Sequence, residues 1–445
     1  MRPTCLPTAN PSSWVRLLIL GLLALSAACT LPAPSQTVTP PPSPTVTLAP
    51  SLTPPLPPVT PTLERPLTLT LWTTEDFAPR GGSPGGNQLL QQFAAFQADH
   101  PDLRVEVVLK KPYGPGGLLD YLRTAKPVAP SLLPDLMVLD AAELPTAARE
   151  GLVQPLDGLI PSELLTDLFP FAVQLGEVDG VWVGVPYQAE LQHLVYDTTK
   201  LERPPMSWRD VYSSTTPFLF ATGTPRGGLN DVLINQYLAL GGRLVDEEGR
   251  PVLDREPLVE VLTFFNRGRK LGVIPYRVLN LSNAASVWTR FLAGEAGMAQ
   301  LPATFFLMER DQLAHVGFAP VPTRNRQIAP LGRGWVLVVI TSDPERQKLA
   351  ALLLEWLIEP ENNGAWSQAA GRLPARRASL EMWDQDDAYV PFIRQHLERA
   401  VAAPPPEVEQ VLAPPLQTAL RDVLRGVSTP EEAAEEAIAT VEGRR

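Results

Sequence analysis

Residues 133–160, LPDLMVLDAAELPTAAREGLVQPLDGLI, decide the fold. From Leu136 the run is apolar until it ends in the carboxylate of Asp140, the pattern of a strand buried on both faces. The remainder, 141–160, reads as a short helix, a Gly turn and an extended piece. Upstream, LRVEVVL (103–109) puts Leu103, Val105, Val107 and Leu109 on one face of a second strand. LTLTLW (67–72) is a third. Between these two, Leu89, Leu90, Phe93 and Phe96 recur at helical spacing, which predicts a helix capped by Asn87 and running to about Asp99. Strands alternating with helices predict an α/β protein whose sheet is largely parallel and covered on both faces. Ligands of such sheets lie beyond the carboxyl ends of the strands, here the loop after Trp72 and the residues after Leu139.

Downstream, GEVDGVWVGVPY (176–187) is an extended pair turned by Asp179 and Gly180. Trp288, Phe291 and Leu292 form the apolar face of a helix ended by Gly294, before a short strand GMAQLP (297–302). WVLVVI (335–340) is another strand. Asp343 caps the next helix with Pro344 at its first position, and RQKLAALLLEWLI (346–358) is apolar enough to be buried on most sides. The last helix opens on Thr429, Pro430, Glu431 and Glu432, a capping box.

The 445 residues, 44% of them apolar, suffice for two or three ordinary cores and exclude wholesale disorder. A net charge of −11 provides no general basic field for a polyanion, so no nucleic-acid partner is expected. The 50 prolines are unevenly placed: thirteen fall in residues 31–66, where Glu64 and Arg65 are the only charges. That stretch is predicted to be an extended spacer, reaching on the order of 100 Å at ~3.1 Å per residue. Before it, LLILGLLAL (17–25), preceded by Arg2 and Arg16 and followed by Ser26, Ala27 and Ala28, has the layout of a secretory signal and is too short to span a bilayer. The chain thus divides into a signal peptide (1–28), a tether (29–66) and a body (67–445). The body has no cysteine, which removes disulfides, thiol nucleophiles and thiolate metal sites.

LSAAC (25–29) resembles the lipobox of bacterial lipoproteins, which implies acylation of Cys29, although Ser26 stands where the pattern prefers a branched apolar residue. Four blocks, in order along the body, resemble the extracellular solute-binding proteins of ABC importers, the sugar-binding group that includes the maltose-binding protein. They are the stretch quoted first, VDGVWVGVPYQAELQHLVYDTTKLERPPMSWRDV, VWTRFLAGEAGMAQLPA and LLEWLIEPENNGAWSQAAGRLPARRASL; the tail VLRGVSTPEEAAEEAIATV continues the match. The resemblance implies a two-lobe periplasmic-binding-protein fold of type II, with hinge-linked lobes closing over a ligand cleft. Carried onto this chain, the crossovers fall near Pro186 to Glu190, Leu331 to Trp335 and Arg372 to Arg377. The N-terminal lobe is then 67–188 plus 332–375, and the C-terminal lobe 189–331 plus 376–445.

The resemblance also implies cleft positions: Thr74 and Glu75, Asp140, Tyr187, Gln188 and Glu190, Gln300 and Thr304, and Trp335. Carboxylates and amides pair with vicinal hydroxyls, and aromatic rings cover the apolar face of a pyranose. Where maltose-binding relatives carry a stacking tryptophan, this chain has Thr304 followed by Phe305 and Phe306, and Leu139 also replaces an aromatic residue, so long maltodextrin is not implied. The implied protein is a monomer that hands its solute, a small molecule of carbohydrate type, to ABC permease subunits. It is extracytoplasmic and held by its lipid on the outer face of the cytoplasmic membrane; Thr30 after the cysteine provides no Asp-type retention signal.

Enzyme constellations fail on inspection. GGSPG (81–85) places Ser83 in a nucleophile-elbow pattern, but Pro84 has no N–H for an oxyanion hole. No Walker motif is present. The four histidines, His100, His193, His315 and His396, lack ligand spacing and are expected at surfaces or helix ends, so no metal and no cofactor is implied. Glu75 with Asp76, or Asp140 with Glu143, could serve a glycosidase if held across a sugar. The hydrogen-bonding reading is favoured, and Trp356 and Trp366 read as core. Two alternatives stay open: a tethered secreted glycan hydrolase, and a receptor for a non-sugar solute.

Overall fold

The computed structural model describes residues 66–223 and 227–444; the signal peptide, Cys29 and all of the tether but Pro66 lie outside the described residues. In chain order the strands are Leu67–Thr73 (β1), Leu103–Leu109 (β2), Leu136–Asp140 (β3), Glu177–Val178 (β4), Val181–Trp182 (β5), Val185–Glu190 (β6), Gln192–Asp197 (β7), Phe218–Leu219 (β8), Met298–Pro302 (β9), Val316–Ala319 (β10), Leu331–Val339 (β11), Leu373–Pro374 (β12) and Val401–Ala402 (β13). The larger sheet runs β12-β6-β11-β3-β1-β2 with β13 on β11; the smaller runs β10-β7-β9-β8. β4 and β5 form the expected hairpin, with φ of 52° at Asp179 and 81° at Gly180.

The larger sheet is mixed where a largely parallel one was expected. β2, β1 and β3 are mutually parallel, but β11 is antiparallel to both β3 and β6. β11 enters from the smaller sheet, long after β3 in the chain, so the helical crossover that makes successive strands parallel does not apply to it. Sheet membership changes at Leu191 and again between Ala319 and Leu331; after Pro374 the chain adds β13 to the larger sheet once more.

One face of the larger sheet is covered by the helices Pro84–Asp99 and Pro344–Ile358, which bury Phe93, Phe96, Leu354 and Leu357 against Leu69, Leu71 and Val339. Buried Asp135, at the entrance to β3, ties this layer together: it accepts Arg346 Nε and Nη2 at 2.7 and 2.6 Å and the Thr70 amide at 2.8 Å. The first helix is capped four residues earlier than expected, at Ser83 in place of Asn87, with the Ser83 hydroxyl accepting the Gly86 amide at 3.1 Å and Pro84 in its first turn. The glycines that suggested a loop lie inside this helix because it packs closely: a Cβ on Gly85 would sit 2.6 Å from Ala370 Cβ. Leu90 and Leu292, placed by spacing on apolar helix faces, are exposed.

β11 begins LGRGW, and its alternation decides what the centre of the molecule looks like. Gly332 and Gly334 face the helix Pro170–Gly176: a Cβ on Gly332 would lie 2.3 Å from Phe171 Cδ2, and one on Gly334 would lie 2.3 Å from Gln188 O and 3.1 Å from Leu175 Cδ1. Gly334→Ala therefore has to push β6 or the helix away, and overpacking of this kind costs ~1–3 kcal/mol. Urea unfolding is expected to show a lowered midpoint at unchanged slope; an unaltered midpoint would show that β11 is looser than its contacts indicate.

Candidate functional site

Arg333 and Trp335 project from the other face of β11. Register places Arg333 opposite Glu190 and Trp335 between Gln188 on β6 and Asp140 on β3, and residues directly opposite share a face. This face borders a cavity of about 400 Å³ enclosed by Ala142 and Glu143 after β3, Glu190 and Gln192 at the β6–β7 crossing, Pro302 at the end of β9, and Asn230 and Asn283. These last two cap the helices Asp231–Ala239 and Ala284–Leu292. Carboxyl ends of strands from both sheets thus converge with helix N-termini, the arrangement in which α/β proteins hold ligands. A larger cavity, about 550 Å³, lies toward the glycine face of β11 and is walled by Leu175, Val178, Leu244, Val401 and Pro404 to Pro406. It meets only one of the ligand-bearing strand ends, that of β3, and the smaller cavity is the better candidate.

Arg333 is the partition between them. Its Nη2 lies 3.0 Å from Asp231 Oδ1 and 2.9 Å from Glu409 Oε1, the latter on the helix Pro406–Arg425. Burial alone would weaken the guanidinium's hold on its proton, but the two carboxylates more than reverse this and raise its pKa. Glu190 has no such partner in contact. It accepts the Leu191 amide at 3.1 Å and the Thr304 hydroxyl. Burial pushes its pKa up to about 7, against the opposing pull of Thr304 and Arg372. Gln300 backs this wall, donating to Gln192 Oε1 at 3.0 Å.

Trp335 is flanked by Phe77 at 5.2 Å and Tyr113 at 5.8 Å between ring centroids. The Tyr113 hydroxyl donates to Asp140 Oδ2 at 2.6 Å, and the other Asp140 oxygen accepts the Ala142 amide at 2.8 Å. Of the expected positions Glu190 lines the smaller cavity, Thr304 and Gln300 stand behind it through their bonds to Glu190 and Gln192, Asp140 borders the larger cavity, and Trp335 lies on the strand face of Arg333. The others stand apart. Tyr187 is buried with its ring stacked 4.4 Å from Trp366, inside the core. Thr74 is buried at the start of a short 3-10 turn, and Glu75 is exposed and paired with Arg80. Gln188 folds back, donating to the Ala189 carbonyl at 2.6 Å.

Sequence reasoning missed Tyr113, Arg333 and Arg372. Arg333 had a usable signal, a cation between two glycines at the head of an apolar strand. Tyr113 sits in a Gly- and Pro-rich loop and had none. His193 differs from expectation, being buried within a strand, while His396, also buried, lies in the last turn of the helix Tyr389–Arg399 as expected. His193 bridges the Leu194 carbonyl at 3.0 Å and the Tyr389 hydroxyl at 3.1 Å, and burial lowers both imidazoles to a pKa of about 4.

Two sheets between which the chain passes twice, with a polar cavity beside the crossings, define a two-lobe α/β binding protein of type II. Residues 91–390 match the family described as bacterial extracellular solute-binding protein, and the chain belongs to that family. Membership places the protein outside the cytoplasm, and among the described residues no helix is long and apolar enough to cross a membrane. A maltotriose-binding protein of Pyrococcus abyssi (strain GE5 / Orsay) is 26% identical over 188 residues, which are 41% of this chain and 40% of that protein, so the match spans about two fifths of the curated relative. Among solved structures, the cyclic alpha-maltosyl-1,6-maltose binding protein of Arthrobacter globiformis superposes with a TM-score of 0.70 at 20% identity, over 85% of this chain and 98% of its own. The maltose-bound MalE3 of T. maritima gives 0.68 at 20%, over 85% and 100%. The GacH receptor of Streptomyces glaucescens GLA.O gives 0.66 at 19%, over 86% and 98%. These likenesses establish the fold.

The raised pKa of Glu190 sets a pH dependence of definite sign. Folding takes up a proton at this site between about 4.5, the ordinary value, and about 7, so its cost to stability grows as pH rises through that window and is complete above it. His193 and His396 act oppositely, costing stability as pH falls from about 6.5 toward about 4. Only the difference between wild type and Glu190→Gln isolates the carboxyl. The variant is expected to gain on the order of 2 kcal/mol at about pH 8 and almost nothing at about pH 4.5, in paired urea melts; a pH-independent difference contradicts the assignment.

Proposed function

We propose that this protein is the capture subunit of an ABC importer, binding a sugar or oligosaccharide in the cavity beside β11 and delivering it to permease subunits in the membrane. The observation that carries this reading is the convergence of Glu190, Gln192 and Arg333 on one cavity with polar groups from helices packed around the smaller sheet. A solute held there touches both halves, and closure follows as a population shift toward the state in which both sets of contacts are made. The lobes are 67–188 with 332–375, and 189–331 with 376–445. The relative that binds maltotriose supports a carbohydrate, and the density of carboxylates and amides suits vicinal hydroxyls.

In this reading the protein binds and does not catalyse. Ser83, the one serine in a nucleophile-like pattern, spends its hydroxyl capping a helix. The monomer is tethered through acylated Cys29, supported by LSAAC and the proline-rich spacer behind it, on the outer face of the cytoplasmic membrane.

Calorimetric titration with maltose, maltotriose and cellobiose, with the sugar recovered and sized afterward, tests the proposal. One-to-one binding of at least one intact sugar is expected, with ~2.7 kcal/mol of added stability at about 100 times its dissociation constant. Glu190→Ala should weaken that binding about tenfold or more. Cleavage of the sugar would support the tethered hydrolase instead, and silence across the panel would refute the carbohydrate.

A further inference from the structure

Two cavities meet at Arg333. With Ala142 and Pro406 it is wall both to the cavity of about 400 Å³ beside β11 and to the cavity of about 550 Å³ toward the glycine face. We propose that Arg333 is a specificity-determining residue, a fixed plug that closes the inner end of the solute site and so limits the solute to a short sugar of about two pyranose rings. The inference rests on the carbohydrate reading and deepens it, since it gives the size of the solute and names the side chain that sets it.

The plug is built into its place. Its Nε and Nη2 lie 3.2 and 3.0 Å from Asp231 Oδ1, and Nη2 lies 2.9 Å from Glu409 Oε1. Asp231 opens the helix Asp231–Ala239, where the helix N-terminus favours a carboxylate. Glu409 comes so close to the chain at Gly228 that a Cβ there would lie 2.9 Å from its Oε2. On the opposite face of the strand, Gly332 and Gly334 seat the backbone against Phe171 and Leu175, which fixes the point from which Arg333 projects. A solute that displaced the guanidinium would take it from two largely buried carboxylates, and breaking such a cluster costs far more than one new hydrogen bond returns. The smaller cavity exchanges roughly a dozen waters, at ~30 Å³ each, for solute, which is room for about two pyranose rings. A further ring at the inner end would have to enter the larger cavity, and Arg333 stands in the way. A ring added in any other direction lies outside the cavity, where its hydroxyls stay hydrated and affinity gains little.

The test is a length series, maltose, maltotriose and maltopentaose beside cellobiose, cellotriose and cellopentaose. Each is titrated by calorimetry into the full chain and into Arg333→Ala combined with Glu409→Gln, a pair that keeps the net charge of the cluster; urea melts establish that the variant is folded. In the wild type, affinity is expected to stop rising at the disaccharide, with the pentasaccharide of the better-bound series within about threefold of it. In the variant the ratio of pentasaccharide to disaccharide affinity is expected to rise about tenfold, whatever the disaccharide itself loses, while Arg333→Lys, which keeps a cation and much of the bulk, holds the wild-type ratio. A wild-type affinity that climbs about tenfold or more from disaccharide to pentasaccharide overturns the proposal, whether or not the variant folds, and leaves the carbohydrate reading intact. An unchanged ratio in a folded variant does the same. Absence of any sugar binding by the wild type overturns both.

Discussion

Along the first five residues of β11, LGRGW, two requirements that usually conflict are met by alternation. A strand passing between two halves of a protein has to be gripped tightly enough to hold them in register, and it has to leave space on its other side for a solute. Gly332 and Gly334 let Phe171, Leu175 and the β6 backbone approach to distances no side chain would permit. Arg333, on the opposite face with Trp335, lines the cavity. Because the period of a strand is two, a shift by one residue would exchange these faces, placing a guanidinium against Leu175 and glycines in the cleft.

The charge arrangement around that strand follows from its burial. A guanidinium shared by Asp231 and Glu409 joins β11 to two helices of the other half. Desolvating three charges is offset only by close geometry and by additional hydrogen bonds, so the triad specifies position more than it adds stability. Removing Arg333 would leave two carboxylates facing each other. Glu190 lacks a cation in contact and shows the consequence, a carboxyl pushed toward neutrality by its surroundings. The site therefore combines one fixed ion cluster with one carboxyl close to its titration point, which can donate or accept a hydrogen bond as the solute requires.

Much of this was legible in the sequence. Strands β1, β2, β3 and β9, the capping of Pro344–Ile358 by Asp343 and the Thr429 capping box follow from local patterns that the tertiary structure has no reason to override. Local pattern did not reveal direction: WVLVVI reads identically whether β11 runs parallel or antiparallel to β3. Gly85 admits the approach of Ala370 and Gly86 that of the Arg80 carbonyl, close contacts that local pattern does not distinguish from the needs of a turn. Site residues divided the same way. Glu190 lies within, and Thr304 directly after, blocks whose order along the chain carries the resemblance, and the structure joins them by a hydrogen bond. Tyr187, directly before Gln188 in the same block, falls where the pairing of β6 with β11 slips by one residue, and its ring enters the core against Trp366. Tyr113 depends on a loop whose course is set by contacts with Asp140 and Asp120, which no spacing rule encodes.

The central claim is that a single solute touches both halves across the β11 face. Hydrogen exchange of the full chain, with and without saturating sugar, tests it directly. The account predicts slowed exchange at once in 111–117 and 141–143 on one side and in 227–232 and 283–286 on the other. Protection confined to one side, or absent from both while the sugar is bound, would contradict it.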